Sequence, residues 1–159
     1  MALSPFHRKN LETQGFQCSE ESFGRAAGWL RLNPVICITL IAIGLVLKSS
    51  VLFFILAGIA AFGLLAPNSL GDYIYLYLIR PLARAPSLPP TPPPRRFACL
   101  VGTLWALLVA FSFMAGWTAL AVSLGIVFIL VALPMATVHF CIASVIYQKL
   151  IGYRPTLAK

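Results

Sequence analysis

The side chains in this sequence best able to act as nucleophiles or soft-metal ligands are four cysteines, Cys18, Cys37, Cys99 and Cys141, and His139. Cys37 and Cys99 each stand about one turn inside the start of an apolar run. Cys141 follows the last such run and is next but one to His139. A group of thiols with a histidine could relay sulfur, sense redox state or hold a soft metal. However, the spacing contains neither Cys-x-x-Cys nor His-x-x-x-His, so it indicates no metal, and it leaves the identity of any cofactor open. Free cysteine is also a common small apolar packing residue, and from the residues alone this is the stronger reading. For His139, an interfacial role is the stronger reading than a ligand role. Cys141 and Ser144 are three apart and so share a helix face.

The elements that must position these groups are apolar. From Phe97 to Val138 the chain has no Asp, Glu, Lys, Arg or His. At 1.5 Å per residue, one helix of that length would reach roughly 63 Å, about twice the ~30 Å core of a bilayer. The run is therefore expected to fold back at Met114-Ala115-Gly116-Trp117, giving spans Phe97–Phe113 and Trp117–Val138, the second kinked at Pro134. Upstream, Asn33-Pro34 reads as a helix start, with Asn as cap and Pro at the first helical position. Two shorter apolar runs follow, Pro34–Leu47 and Val51–Ala66, separated by Lys48-Ser49-Ser50. A single helix across both would bury Lys48 at its centre, at about 2.5–3.5 kcal/mol on insertion scales. A hairpin instead lets Lys48 snorkel at the far surface. The predicted fold is all-α: four transmembrane helices as two hairpins, with short amphipathic interfacial helices.

The flanks fit that frame. Residues 1–17 read as a loose polar tail, followed by an amphipathic surface helix over 19–31, within an N-terminal segment 1–32. A cytoplasmic helix packed on protein would show the same pattern. The N-terminus lacks the apolar core of a cleavable signal peptide. Ser69-Leu70-Gly71-Asp72 matches a capping box, opening a helix that carries Tyr73, Tyr75 and Tyr77 to Arg80-Pro81. Such a helix suits the headgroup layer and completes a first unit, 33–83. Residues 84–96 form a Pro-rich linker, extended and semi-rigid. The second unit, 97–150, ends in an exit helix, and 151–159 is a tail.

Composition narrows the function classes. With 159 residues, 60% apolar and 10% charged, the chain carries too little charge to cover a soluble surface. The formal charge of +8 does not indicate nucleic acid. The basic residues sit in short blocks beside apolar runs, as membrane anchors do. All but Lys48 fall on one side of the predicted hairpins, which puts both termini and the central loop in the cytoplasm of an inner-membrane protein. No charged residue lies inside a predicted span, which argues against ion-coupled transport. No phosphate loop, paired carboxylates or hydrolytic triad is present. Small residues recur at four-residue steps, Ala57/Ala61 and Ala115/Ala119/Ser123, as helix–helix contacts require. Each half also carries a Cys near its first entrance, a turn, a closing Pro and a Tyr-bearing basic end, a weak internal repeat with an axis along the membrane normal.

From Asn33 to Tyr147 the chain resembles a family of small bacterial integral membrane proteins, domain of unknown function 4395, described as rhodanese-associated. The resemblance is carried by Asn33-Pro34, by Ile74-Tyr75 to Arg80-Pro81, by Pro93-Pro94-Arg95-Arg96-Phe97-Ala98 and by Cys141-Ile142-Ala143-Ser144-Val145-Ile146-Tyr147. It implies a link to thiol or sulfur handling, with a sulfurtransferase or thioredoxin-like partner. Members commonly carry a second cysteine three residues after the first in the last motif, where this chain has Ser144. A disulfide step at that pair is therefore closed to this chain, while a single Cys141 can still carry a persulfide. Two functions are expected from different classes. One is a membrane accessory in thiol handling, with Cys141 as its reactive group and Cys99, Cys37, His139 and Ser144 in support. The other is a non-catalytic structural or assembly subunit in a larger membrane complex or homo-oligomer, held among lipids.

Overall fold

A computed structural model of the chain describes residues 4–16, 28–83 and 90–152. The described residues are helical, with no strand among them. Helix α1 is Pro5–Thr13, a 3-10 turn spans Gly28–Arg31, and α2 is Leu32–Val46. Then come α3, Ser50–Leu65, and α4, Leu70–Ile74, which passes through a π-helical turn, Tyr75–Ile79, into α5, Arg80–Ala83. Helices α6, Pro93–Met114, α7, Thr118–Val138, and α8, Ile142–Ile151, complete the order.

Both expected hairpins are present. Leu47 to Ser49 turns α2 into α3, with Lys48 exposed and in the left-handed region at φ 48°. Ala115 to Trp117 turns α6 into α7, and Gly116 takes φ 78°, a conformation a side chain would strain. The two hairpins pack across each other. The most extensive contact is α3 on α6, followed by α2 on α7. Ile41, Phe53, Leu56, Ala57, Ala106, Val109, Ala110 and Ala121 form the buried core. Small residues at that centre let the backbones approach.

Gly28–Val46, α6 and α7 are each long and apolar enough to cross a membrane. Helix α3 and the segment after it meet at 76° and together could form a broken fourth span. Only 11% of the most apolar stretch of α7 is buried within the chain, so its outer face must be covered by lipid or protein. Leu120, Ile126, Leu130 and Leu133 lie there.

Several flanks differ from the sequence reading. Residues 4–16 are not a loose tail: α1 folds and docks. Asn10 Nδ2 donates to the Val138 carbonyl at 2.7 Å, and Gln148 Nε2 donates to the Thr13 carbonyl at 2.9 Å. These side chains satisfy carbonyls at helix ends that have no partner within their own helix. Of the amphipathic helix expected over 19–31, only Gly28–Arg31 is described, as a 3-10 turn; the rest, with Cys18, lies outside the described residues, as do most of the linker and of the tail 151–159. Asn33 does not cap α2, which starts one residue earlier. Its Oδ1 accepts the Gly71 N–H at 3.3 Å instead. Tyr75 is fully buried against Trp29, with ring centroids 5.7 Å apart, rather than at a wet surface. Finally, α6 begins at Pro93, where proline suits the first helical turn, so Arg95 and Arg96 belong to the helix and not to the linker.

Candidate functional site

The capping box expected at Ser69 forms, and its acid does more than cap. Asp72 Oδ2 accepts the Ser69 N–H at 3.1 Å, the Ser69 hydroxyl at 2.8 Å and the Thr91 hydroxyl at 3.4 Å. Its other oxygen, Oδ1, lies 3.5 Å from Arg95 Nη2. Both side chains are almost wholly buried, at 4% and 2% exposure. A buried ion pair is tolerated only when its remaining hydrogen-bonding capacity is also met. For Asp72 that capacity is largely filled. For Arg95 it is not. Nη2 donates to the Leu30 carbonyl at 3.4 Å, and the guanidinium sits 5.5 Å over the Phe16 ring. Nη1 is buried with no hydrogen-bond partner among the described residues.

Arg95 also lines a cavity of about 110 Å³ between the two hairpins. Asn33 and Cys37 enter it from α2, Gly63 from α3, and Cys99 and Gly102 from α6; Phe128 of α7 closes one side. Arg95 and Cys99 are four residues apart and share a helix face, as do Asn33 and Cys37. Cys37 and Cys99 are close enough to feel one another's charge, and both lie within electrostatic reach of Arg95. A Cβ at Gly63 would stand 3.2 Å from Cys99 Sγ, so glycine there leaves the thiol its room. The cavity is thus lined by two thiols and by Arg95, whose guanidinium is paired with Asp72.

The other sequence-predicted residues lie outside this cavity. Cys141 is buried at 8% exposure and takes the N-cap position of α8, within electrostatic reach of Cys99. Ser144 is fully buried, and its hydroxyl donates to the Pro94 carbonyl at 3.2 Å, tying α8 to the first turn of α6. His139 is buried in the left-handed region at φ 57°, where it ends α7. Its Nδ1 lies 3.4 Å from Arg31 Nη2, and its ring packs edge-on to His7 at 5.7 Å. The Gln14 side-chain amide donates to the His139 carbonyl. His139 and Cys141 stand where α7 passes into α8, and Ser144 where α8 meets α6, while Cys37 and Cys99 line the cavity apart from them. No group able to hold a metal ion occurs among the described residues.

Sequence reasoning missed Asp72 and Arg95 as a pair. The available signal was that Asp72 is the sole acid after Glu21. A lone acid among apolar segments rich in cations reads as a buried partner as readily as a cap.

The family model described as a domain of unknown function, DUF4395, matches residues 28–151. The chain belongs to this family. The match covers both hairpins, Asp72, Arg95 and every cysteine except Cys18, and it leaves out α1. No curated protein and no solved structure matches the chain.

Proposed function

We propose that the protein is an integral membrane accessory that handles thiol-bound sulfur, and that Cys99 and Cys37 are its working groups. The observation that carries this reading is the convergence of two thiols on one cavity that Arg95 also lines. The nearby Arg95 guanidinium partly offsets the cost of burying an anionic sulfur. The step needs a persulfide donor, which a sulfurtransferase or thioredoxin-like partner would present. The Cys99 sulfur attacks the outer sulfur of the donor persulfide, forming a new S–S bond. The donor's own S–S bond breaks, its electron pair leaves on the donor sulfur, and the Cys99 proton passes to that departing thiolate. Cys99 then holds the persulfide, and no net oxidation occurs. In this reading the chain lies in a bacterial inner membrane with both termini cytoplasmic, as the basic residues favour. Cys141 becomes a packing residue that anchors the start of α8.

The test is transfer of labelled sulfur from a persulfide-loaded sulfurtransferase to the purified chain in detergent. Transfer that survives Cys141→Ser but is lost in Cys99→Ser is the expected result. Failure of the unaltered chain to accept sulfur would sink this reading.

A second reading, a structural subunit of a homo-oligomer or larger complex, has its own support. Ala119 and Ser123 are exposed on α7, at the four-residue spacing that lets a second helix approach closely; Ala115, third of the expected small residues, lies in the turn before the helix. The oligomeric state in mild detergent tests it. A lone monomer would count against it.

A further inference from the structure

We propose that α1 is a pH-released strap over the Arg95 end of the cavity, latched by the neutral rings of His7 and His139 against Arg31. The strap governs access to the cavity of the thiol reading and does not depend on either thiol reacting. The residues that follow α1 reach that end of the cavity. The Phe16 N–H donates to the Leu11 carbonyl at 3.1 Å, and the buried Phe16 ring lies 5.5 Å from the Arg95 guanidinium. A Cβ on Gly15 would stand 2.9 Å from Pro92 Cβ, so these residues sit tightly on the start of α6.

The latch joins three elements. Arg31 Nη2, from the 3-10 turn, lies 3.5 Å from His7 Nε2 of α1 and 3.4 Å from His139 Nδ1 at the end of α7. The two imidazoles pack edge-on at 5.7 Å. A guanidinium only donates, so both of those ring nitrogens must be unprotonated acceptors. A proton on either one removes an acceptor and sets a second positive charge against Arg31. Among the described residues no acid is placed to offset that charge. Helix α7 has none, and α8 carries Tyr147 and Lys149, with Cys141 at its N-cap, but no acid. On α1, Glu12 pairs with Arg8 at 3.1 Å, and Lys9 lines a groove with Phe140 and Val145. The remaining described carboxylate, Asp72, is held by Arg95. Asn10 and Gln14 of the strap donate to the carbonyls of Val138 and His139, so the latch and these docking bonds share one end of α7. Docking therefore requires neutral rings, and it weakens as pH falls through the range in which histidine gains charge, about pH 8 to 5.

The experiment measures the distance between spin labels on α1 and α8 in the full-length chain in an uncharged detergent. The four native cysteines are replaced by serine, and labels are attached through Ser4→Cys and Leu150→Cys, both at exposed positions. A single short distance is expected at about pH 8, with a longer one growing in toward pH 5. The ratio of released to docked strap should rise by about tenfold per pH unit, the limit for one proton taken up on release. His7→Gln with His139→Asn keeps an acceptor oxygen for Arg31 at each place and does not titrate; asparagine also tolerates the left-handed backbone at 139. This double variant should hold the short distance across the whole range. Should it fail to fold, His7→Gln alone decides, and its pH response should fall by at least about half, one of two titrating rings being gone. With the native cysteines restored and no labels, methyl methanethiosulfonate at about pH 6 should modify Cys99 faster in the parent chain than in the variant, since both are read at one pH. Neither readout needs sulfur transfer, so failure of the thiol reading leaves both standing. One distance at every pH, a pH response unchanged by the substitutions, or equal rates of Cys99 modification would overturn the proposal.

Discussion

At the residue scale the account turns on Asp72 and Arg95. Each is buried, and each is the other's partner. Removing one side of such a pair strands a charge in a dry interior, so Asp72→Ala and Arg95→Ala should each cost about 3–5 kcal/mol. Replacing both with apolar residues should cost clearly less than the sum of the two, because no charge is then stranded. Thermal unfolding in detergent of the two single variants and the double checks this. Equal, additive losses would mean that the pair does not interact. Ser144 is the milder case. Its hydroxyl makes one buried bond, to the Pro94 carbonyl, so Ser144→Ala should lower stability by about 1 kcal/mol. It should leave sulfur acceptance at Cys99 intact, because Ser144 does not line the cavity. The cysteines show how far residue types alone can reach. Their positions placed Cys37 and Cys99 at matching depths at the entrances of two spans. Nothing in their spacing could show that Cys141, at a similar depth, turns into the α8 junction instead, because the packing of α8 on α6 is non-local.

At the element scale, close backbone approach decides where α4 sits. A Cβ on Gly71 would stand 2.8 Å from the backbone N and Cα of Asn33. Backbone cannot give way as a flexible side chain does, so Gly71→Ala should cost about 1–3 kcal/mol. It should also loosen Asp72 from Arg95, since Asp72 is the next residue. A loss of stability that shrinks when Asp72 is already Ala would register both effects. The helices themselves were legible for a physical reason. A charge-free run twice the thickness of a bilayer must turn, and Lys48 must reach a surface, so the bend points followed from length and solvation alone. The start of α6 was less legible. Pro92-Pro93-Pro94 has the composition of an extended linker, yet proline is also favoured in a first helical turn. Context chose the second, and that choice carried Arg95 into the bundle. The docking of α1 was hidden for a different reason. It rests on side-chain amides, Asn10, Gln14 and Gln148, that cap carbonyls far away in sequence. Such bonds leave no periodic pattern.

At the scale of the whole molecule, two crossed hairpins share a small cavity, and their outer faces are apolar. The central claim is that Cys37 and Cys99 meet in that cavity and are the thiols that react. Its most direct test uses a chain carrying Cys18→Ser and Cys141→Ser, treated with a short bifunctional methanethiosulfonate and digested for mass spectrometry. The account predicts one reagent per chain, bridging Cys37 and Cys99 within the same molecule, and loss of the bridge in Gly102→Leu. Separate reagents on each thiol, or no reaction at either while Cys141 reacts in the unaltered chain, would contradict it.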